Sequence, residues 1–489
     1  MTSEASLEHE YVGALCDAIA AYTRDLAAGT PNAFLYRGAD LRFAVERALY
    51  FMFVNDEDLF SLFARARRGE LRGSVSGGVE PRAGIARQLV NAHTTEVLAD
   101  ASDTPSLPRR LYHHFRALES EWRSRRVATP SPRPEILICI HQPKFVAFLQ
   151  PLTSRLSVSH AYIGFSGSSR ILDFLQRQEL PQVASRSSSR FQWRLPEGLA
   201  AVPWVASRFD EADAFLRRLQ PRCVMLVEGN APTDEITNRA AARLDIPTVC
   251  VQQGWSPIIH NGFRNMSYSR MLAWGDGFVD LLQPLNPLQQ FVSTGNFTAP
   301  TARPDDRRRK AVAFFLQGPT RILSAEGHSE TIRLALRTAR DLPDVPIIVR
   351  DHPEYPLSAD VRALCDALPN VQCLSPDRAS VGEILAQSRL AVSVYSSAIL
   401  DSLAAGVVPV VVNLTSMPRY FPDVAAERCG IEVSNAEAAS SVIRRLIDDE
   451  AFADSFGPHI ERFRRRFFAA TGSAAAESAV SVIETIAAA

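Results

Sequence analysis

The sequence predicts an α/β protein in which two Rossmann-like domains follow a helical N-terminal region. Three observations carry this prediction. Short apolar runs alternate with helical stretches from residue 136 onward, as expected where helices connect parallel strands that are buried on both faces. The alternation starts again after a charged, proline-containing stretch at residues 300–310. With 489 residues, the chain is also too long for one ordinary hydrophobic core.

Residues 1–134 are expected to form the helical region and a linker. Apolar residues recur at three- and four-residue spacing in 7–26 and 41–68, which indicates helices. Residues 123–134 contain three prolines and four arginines. This composition disfavours both a helix and a central strand, so we interpret the stretch as a linker.

The two Rossmann-like domains are expected at residues 135–307 and 308–455. The predicted strands of the first domain are residues 136–140, 159–164, 223–227 and 248–252. Those of the second domain are residues 311–316, 346–350, 371–374, 390–395 and 407–413. Residues 456–489 are predicted to form a C-terminal helical segment, because residues 473–488 are rich in alanine.

The composition excludes several classes of partner. The formal net charge is −1, which argues against attraction to nucleic acid through bulk charge. The longest apolar runs are too short to span a bilayer, and the N-terminus lacks the basic start and apolar core of a signal peptide. Seven scattered cysteines without a C-x-x-C pair indicate free thiols in a reducing compartment. We therefore predict a cytoplasmic protein without a nucleic-acid partner.

Polar residues follow two predicted strands of the second domain, where open α/β sheets bind ligands. Ser396 and Ser397 lie before a predicted helix, whose first turn offers unpaired N–H groups and a favourable dipole to a phosphate. Arg350, His352 and Pro353 end another strand, and the imidazole suits an anionic group. The alternatives are ordinary helix capping by the serines and a surface histidine in a turn.

In the first domain, the strand at 223–227 ends in Glu228, Gly229 and Asn230. A carboxylate at the end of a buried strand is a candidate general base. The adjoining glycine lets a ligand approach closely. The alternative interpretation of Glu228 is a solvated turn residue.

The next strand leads into a polar loop that is a candidate acceptor contact. Gly254 permits a tight turn, while Gln252, Gln253 and Trp255 offer hydrogen bonds and a stacking surface to a sugar. The alternative is a glycine turn with a packed tryptophan. His260 continues the loop and is our second candidate for the general base.

Several motifs that would indicate other chemistry are absent from the sequence. There is no G-x-x-x-x-G-K-S/T phosphate loop, no G-x-G-x-x-G fingerprint and no zinc-ligand spacing. Asp56-Glu57-Asp58 matches the D-x-D pattern of metal-dependent sugar transferases, but its position in a helical region favours a solvated helix face. We therefore predict neither a metal nor a cofactor.

Residues 462–468 mix arginines with phenylalanines. This pattern favours a helix that packs its phenylalanines inward while its arginines reach water. Peripheral contact with anionic lipid at the inner face of a membrane is the alternative.

Three short motifs occur in the order found in bacterial polysialyltransferases and capsule β-Kdo transferases, which are GT-B enzymes that use CMP-sugars. Glu228-Gly229, His352-Pro353 and Ser396-Ser397 resemble their D/E-D/E-G, HP and SS motifs. Residues 395–409 also resemble the donor-domain helix of polysaccharide and teichoic-acid polymerases. The resemblance covers roughly residues 135–455. It departs at Val227, where these families usually have a second acid.

This resemblance implies a metal-independent GT-B glycosyltransferase with two Rossmann-like domains facing a cleft. Glu228 would be the catalytic base, and His352, Ser396 and Ser397 would bind the donor phosphate. The expected partners are a nucleotide-sugar donor of the CMP-Kdo or CMP-sialic acid type and a glycan or lipid-linked glycan acceptor. The alternatives are a CDP-glycerol-type phosphotransferase, a nucleotide-sugar epimerase and a non-catalytic binding protein on the same fold.

Overall fold

The structure is a computed structural model. It describes residues 4–71, 74–75, 80–92, 97–98, 133–165, 169–184, 195–200, 202–256, 258–300, 310–320, 323–353, 355–415 and 422–489. Most of the predicted linker at 123–134 and most of the stretch at 300–310 lie outside the described residues.

The N-terminal region is mainly helical, as predicted. Its elements are α1 (Glu4–Gly29), β1 (Leu35–Tyr36), β2 (Ala39–Asp40), α2 (Arg42–Phe53), α3 (Glu57–Arg67), β3 (Ser74–Val75), α4 (Pro81–Asn91) and β4 (Val97–Leu98). β1 pairs with β2 in an antiparallel hairpin, and β3 pairs with β4 in parallel.

The predicted helix at 41–68 is divided in two at Asp56. The backbone of Asp56 is extended, and its carboxylate accepts hydrogen bonds from the backbone N–H groups of Asp58 and Leu59. Asp56 therefore starts α3 as its N-cap. The predicted helix at 41–68 is therefore two helices, while Glu57 and Asp58 are exposed in the first turn of α3, as expected for a solvated helix face. Asp58 forms an ion pair with Arg82 at 2.5 Å.

The first Rossmann-like domain contains a seven-stranded parallel sheet in the order β11-β10-β9-β8-β5-β6-β7. The strands are β5 (Ile136–Cys139), β6 (His160–Gly164), β7 (Gln182–Ala184), β8 (Cys223–Val227), β9 (Thr248–Val251), β10 (Arg270–Ala273) and β11 (Phe291–Ser293). The helices are α5 (Lys144–Thr153), α6 (Ser169–Arg177), α7 (Glu197–Ala200), α8 (Pro203–Leu219), α9 (Pro232–Ala242) and α10 (Asp276–Leu282). The sequence did not predict β7, β10 or β11.

The second domain contains a six-stranded parallel sheet in the order β14-β13-β12-β15-β16-β17. The strands are β12 (Ala311–Phe315), β13 (Ile347–Arg350), β14 (Val371–Leu374), β15 (Ser388–Ser393), β16 (Val408–Val412) and β17 (Ile431–Val433). The helices are α11 (Ala325–Asp341), α12 (Ala359–Asp366), α13 (Val381–Leu385), α14 (Ala398–Ala404), α15 (Ala436–Asp448) and α16 (Glu450–Asp454). The second sheet follows the doubly wound order 3-2-1-4-5-6, and the first follows the same order with a seventh strand at the edge, which confirms the two Rossmann-like domains.

The N-terminal helices share one hydrophobic core with the first sheet. Leu15 of α1 and Leu49 of α2 belong to the same buried cluster as Leu137 of β5 and Leu226 of β8. The helical region is therefore packed against the sheet as part of one body.

The C-terminal segment connects the two domains. α17 (Gly457–Phe467) contacts α10, and α18 (Gly472–Ala488) packs against α5 of the first domain. The backbone of Asn296 accepts a hydrogen bond from Gly472 at 3.2 Å and donates one to Ala470 at 3.0 Å. The chain thus returns to the first domain after completing the second.

The arginine–phenylalanine run confirms the inward-packed interpretation. Phe463, Phe467 and Phe468 are buried in the core of the second domain. Arg466 forms ion pairs with Asp280 and Glu427. Among the described residues, no helix combines the length and apolar character needed to cross a bilayer.

Candidate active site

Each sheet has a point where its strand order reverses, and ligands of doubly wound sheets bind at such switch points. In the first domain this point lies between β5 and β8, and in the second between β12 and β15. His141 follows β5 and Glu228 follows β8. The loop at 316–320 follows β12, and Ser396 and Ser397 follow β15. Three of the predicted site residues therefore lie beside a switch point.

The backbone of Glu228 adopts an unusual conformation. Its φ is +68°, and the φ of Gly229 is +74°. The left-handed conformation costs a residue with a side chain about 1–2 kcal/mol, so the surrounding structure must impose this turn. A Cβ atom at Gly229 would lie 2.6 Å from Sγ of Cys250. Glycine is therefore needed here for the turn and for internal packing, and not to admit a ligand as the sequence suggested.

The carboxyl group of Glu228 is half-buried, and this burial raises its pKa above the usual value. Nearby His141 and Lys144 lower the pKa, Asp234 raises it, and a hydrogen bond with the Asn230 side chain lowers it. The net effect is a raised pKa, so the group binds a proton more readily than a solvated glutamate. We call His141, Lys144, Glu228, Asn230 and Asp234 the first-domain cluster.

His141 and Asp234 lie in the first-domain cluster, and the sequence reasoning did not single them out. Nδ1 of His141 lies 3.8 Å from Oδ1 of Asp234. Burial lowers the pKa of His141, and burial raises the pKa of Asp234 to about 7. The available signal was the polar stretch 141–144 directly after the first apolar strand. Asp234 gave no such signal, because an acid in the first turn of a helix is ordinary.

His260 is part of the packed interior. Its ring stacks on Tyr50 with centroids 4.5 Å apart, and its Nδ1 accepts a hydrogen bond from the backbone N–H of Gly262. Burial, together with the charges of Arg47 and Arg264, lowers its pKa to about 3. An imidazole with this pKa is a poor base at neutral pH. The structure therefore corrects the choice of His260 as the second candidate base.

In the loop after β9, some of the predicted contact residues are packed in the interior and others border free space. Gln252 is buried, and its side chain accepts a hydrogen bond from Trp274 N and donates one to Gly254 O. Trp255 packs against both hydrophobic cores, which favours the packed-tryptophan alternative. Gln253 is half-buried, and a Cβ atom at Gly254 would meet no atom within 4 Å. Only Gln253 and Gly254 therefore remain suitable for ligand contact.

The second sheet brings the predicted donor residues to one edge. Phe315 of β12 pairs with Arg350 of β13 on one side and with Ser393 of β15 on the other. Neighbouring strands lie about 4.8 Å apart, so the chain segments beyond Arg350 and Ser393 are separated by roughly 10 Å. We call Arg350, His352, Ser396 and Ser397 the second-domain cluster.

The two serines differ in their local roles. Oγ of Ser396 accepts a hydrogen bond from the backbone N–H of Ala398, where α14 begins. Ser397 is exposed and makes no side-chain capping bond. Tyr395 and Thr320 are joined by a hydrogen bond between their hydroxyl groups at 3.0 Å. This bond connects the segment that carries Ser396 and Ser397 to the loop at 316–320, on the other side of the switch point.

His352 and Pro353 form a turn closed by Tyr355. The backbone N–H of Tyr355 donates to the carbonyl of His352, and the two rings lie 5.6 Å apart. The Tyr355 ring also covers Gly318, where a Cβ atom would lie 1.9 Å from the ring. His352 is half-buried and Pro353 is exposed, so the turn reaches the surface beside the switch point.

Arg350 supplies a cation at the same sheet edge. It is half-buried, and burial lowers its pKa, while Asp401 and Asp351 oppose this shift. Its Nε donates a hydrogen bond of 3.4 Å to the carbonyl of Ala379. Burial raises the pKa of Asp401 to about 7. A partly desolvated guanidinium of this kind interacts strongly with an anion.

The cysteines are free thiols, and they do not contribute to a metal centre in the described part of the chain. All seven cysteines are free, and Cys139, Cys223 and Cys250 are buried as predicted. Within the described ranges, no group of three or more His, Cys, Asp or Glu residues is arranged to hold a metal ion.

Comparison with known proteins adds similarities of overall fold. No protein-family model and no curated protein matches the sequence. The fold is similar to UDP-GlcNAc 2-epimerase from Neisseria meningitidis bound to UDP-GlcNAc, with a TM-score of 0.48, 13% identity and coverage of 72% of this chain and 98% of that chain. It is also similar to the glycotransferase of kitacinnamycin, with a TM-score of 0.48, 13% identity and coverage of 73% of this chain and 100% of that chain. For MurG of Acinetobacter baumannii the TM-score is 0.46 and the identity is 12%, with coverage of 72% of this chain and 100% of that chain. At these identities the similarities concern the fold alone.

Proposed function

We propose that this chain is a glycosyltransferase that moves a sugar from a CMP-sugar to a glycan or lipid-linked glycan. The observation that carries the proposal is the pair of clusters at the two switch points. The first-domain cluster offers a carboxylate of raised pKa, and the second-domain cluster offers a cation, an imidazole and two hydroxyl groups. These are the groups needed to deprotonate an alcohol and to hold a leaving phosphate.

The second-domain cluster would bind the donor phosphate. Arg350 ends β13 and His352 follows it, while Ser396 and Ser397 follow β15, so the cluster lies on both sides of the end of β12. As the sugar–phosphate bond breaks, its electrons pass to the phosphate of the departing CMP. Hydrogen bonds and a guanidinium stabilise this developing charge, and we propose that no metal ion is required.

Glu228 would be the general base in the first domain. The acceptor oxygen attacks the anomeric carbon, and its proton passes to the carboxylate of Glu228. The sugar is oxocarbenium-like at this stage. The raised pKa of Glu228 suits this role, since a stronger base accepts the proton more readily near neutral pH. Lys144 and His141 lie close enough to influence its charge.

The proposed location is the cytoplasm. The seven free cysteines support this proposal, because a reducing compartment keeps thiols unpaired. If the acceptor is a lipid-linked glycan, the enzyme would act at the inner face of the membrane.

The proposed function is tested by nucleotide binding followed by product analysis. The full chain is heated with CMP, CDP, UDP or GDP, and CMP is expected to stabilise it most, by about 2.7 kcal/mol at one hundred times its dissociation constant. At the same CMP concentration, His352→Ala should show only about 0.4–1.4 kcal/mol of this stabilisation, which corresponds to an affinity about ten- to a hundredfold weaker. Ser329→Ala is the control, because Ser329 lies on α11 of the same domain and its hydroxyl donates to the carbonyl of Ala325 in the same helix.

Product analysis then separates the alternatives. Release of CMP together with glycosylated product supports the proposal. Transfer of a glycerol phosphate from CDP-glycerol, or epimerisation of a UDP-sugar, would replace it with one of the rival activities. Lack of stabilisation by any nucleotide would favour a non-catalytic protein.

A further inference from the structure

Arg47 of α2 reaches from the N-terminal region to the turn that carries Glu228. Its side chain is 0% exposed, although arginine is rarely buried completely. Nη1 donates hydrogen bonds to the carbonyl oxygen of Gly229 at 2.9 Å and to the hydroxyl of Tyr268 at 3.0 Å. The N-terminal region thus contacts the residue that follows the proposed base.

Arg47, Tyr268 and Gly229 form a closed hydrogen-bonded triangle. The hydroxyl of Tyr268 accepts from Arg47 and donates to the carbonyl oxygen of Gly229 at 2.8 Å. The Gly229 carbonyl is therefore held from two directions. The peptide bond after Gly229 cannot rotate without losing both interactions, and each lost partner leaves a buried polar group unsatisfied.

Charge neutralisation alone does not account for Arg47. Its Nη2 lies 3.3 Å from Glu235, but Glu235 already forms a 2.6 Å ion pair with Arg239. The closer contact of Arg47 is with the Gly229 carbonyl. Replacing a buried ion pair by apolar packing is often neutral for stability, so an arginine at this position needs a more specific reason.

We propose that Arg47 is a positioning residue, which acts with Tyr268 to hold the left-handed turn that presents Glu228. The N-terminal helical region then completes the active site instead of forming a separate module. This inference rests on the proposed role of Glu228 as the base. It explains why Glu228 and Gly229 both remain at positive φ despite the cost of that conformation for glutamate.

The test compares Tyr268→Phe with Tyr36→Phe, and Arg47→Lys serves as a second variant. Tyr268→Phe removes the hydroxyl that makes two of the three hydrogen bonds of the triangle, leaves the bond from Arg47 to Gly229, and preserves the ring. Tyr36→Phe is the matched control, because the buried Tyr36 hydroxyl bonds Asp210 of α8 and so joins the same two regions without touching the turn. Two readouts are measured on the full chain, namely amide hydrogen exchange of the peptide spanning residues 226–231 and turnover with a CMP-sugar.

Tyr268→Phe is expected to speed exchange of this peptide about two- to tenfold, because the Gly229 carbonyl loses one of its two hydrogen-bond donors. Its turnover should fall about ten- to a hundredfold, with donor affinity unchanged, because a displaced catalytic group loses rate and not ground-state binding. Arg47→Lys should behave similarly, and Tyr36→Phe should match the wild type in both readouts.

The two proposals fail in different ways. Wild-type exchange and turnover in Tyr268→Phe would refute the positioning role, as would equal effects in Tyr36→Phe. Wild-type turnover in Glu228→Gln would refute the proposed base instead. The exchange comparison would then still decide whether Arg47 and Tyr268 hold the turn.

Discussion

Replacing Glu228 by glutamine should abolish most of the catalytic activity and leave the fold intact. Glutamine has the same size, still accepts the hydrogen bond from Asn230, and meets the same backbone cost at a φ of +68°. The burial that raises the pKa of Glu228 disfavours its charge, so a neutral amide should not reduce stability at neutral pH. A general base contributes about 10²–10⁴-fold to turnover, which corresponds to about 3–5 kcal/mol of the barrier.

The pH profile gives this prediction a second test. Glu228 must be ionised to act, and its pKa is raised above 4.5, so activity should be lost as the pH falls through the raised pKa. Burial also lowers the pKa of His141 from 6.5. The pKa of Glu228 and the pKa of His141 therefore move toward each other, so either residue could produce an acidic limb in the pH profile. An acidic limb that disappears in Glu228→Gln but persists in His141→Gln belongs to Glu228.

The assay follows turnover with a CMP-sugar and, separately, CMP binding by calorimetry. Near-normal turnover in a folded Glu228→Gln variant would refute the reasoning, because the other carboxylate of the first-domain cluster, Asp234, is buried and accepts a hydrogen bond from the backbone N–H of Ala231. Loss of CMP binding would also contradict it, since that result would place Glu228 in the nucleotide site.

The remaining predictions concern the donor site, metal ions and the buried turn. His352→Ala and Ser396→Ala should each weaken CMP binding about ten- to a hundredfold, and unchanged calorimetric affinity in both would exclude the proposed phosphate site. Turnover should persist in excess EDTA, whereas complete loss with rescue by magnesium would require a metal. Gly229→Ala should lower the free energy of unfolding by about 1–3 kcal/mol in denaturant, because its φ is +74° and a Cβ atom would lie 2.6 Å from a sulfur atom, while Gly254→Ala serves as the control. Burial raises the pKa of Asp234 to about 7, so its stabilising contribution is complete below about pH 4 and is lost as the pH rises through 7. Asp234→Asn should reduce this variation by up to about 4 kcal/mol, and an unchanged dependence of unfolding on pH would contradict the assignment.

The central strands of both sheets except β10 could be predicted because each contains a continuous apolar run, whereas β10 has four residues and begins with Arg270. β8 and β16, for example, are buried along their whole length. The edge strands β11 and β17 were missed because they are three residues long and half-buried. An edge strand lacks the two-sided burial that makes a central strand recognisable.

The site divides in a similar way. Glu228 and the serine pair could be singled out as candidates because each comes within three residues of the end of a buried strand, and the carboxyl ends of parallel strands meet at one edge. His260 was assigned incorrectly because its position in a polar loop gave no sign of its stacking on Tyr50. That contact joins chain segments that are far apart in the sequence.

The sequence alone determined the two Rossmann-like domains and the strand ends where polar residues gather, because these follow from local patterns of burial. Only the tertiary structure decided that Asp234 is buried, that His260 is packed and that Arg47 holds the turn at Glu228. Arg47 lies 182 residues from Gly229 and 221 residues from Tyr268. No local pattern reports such contacts, because they exist only after the N-terminal helices have packed against the first sheet.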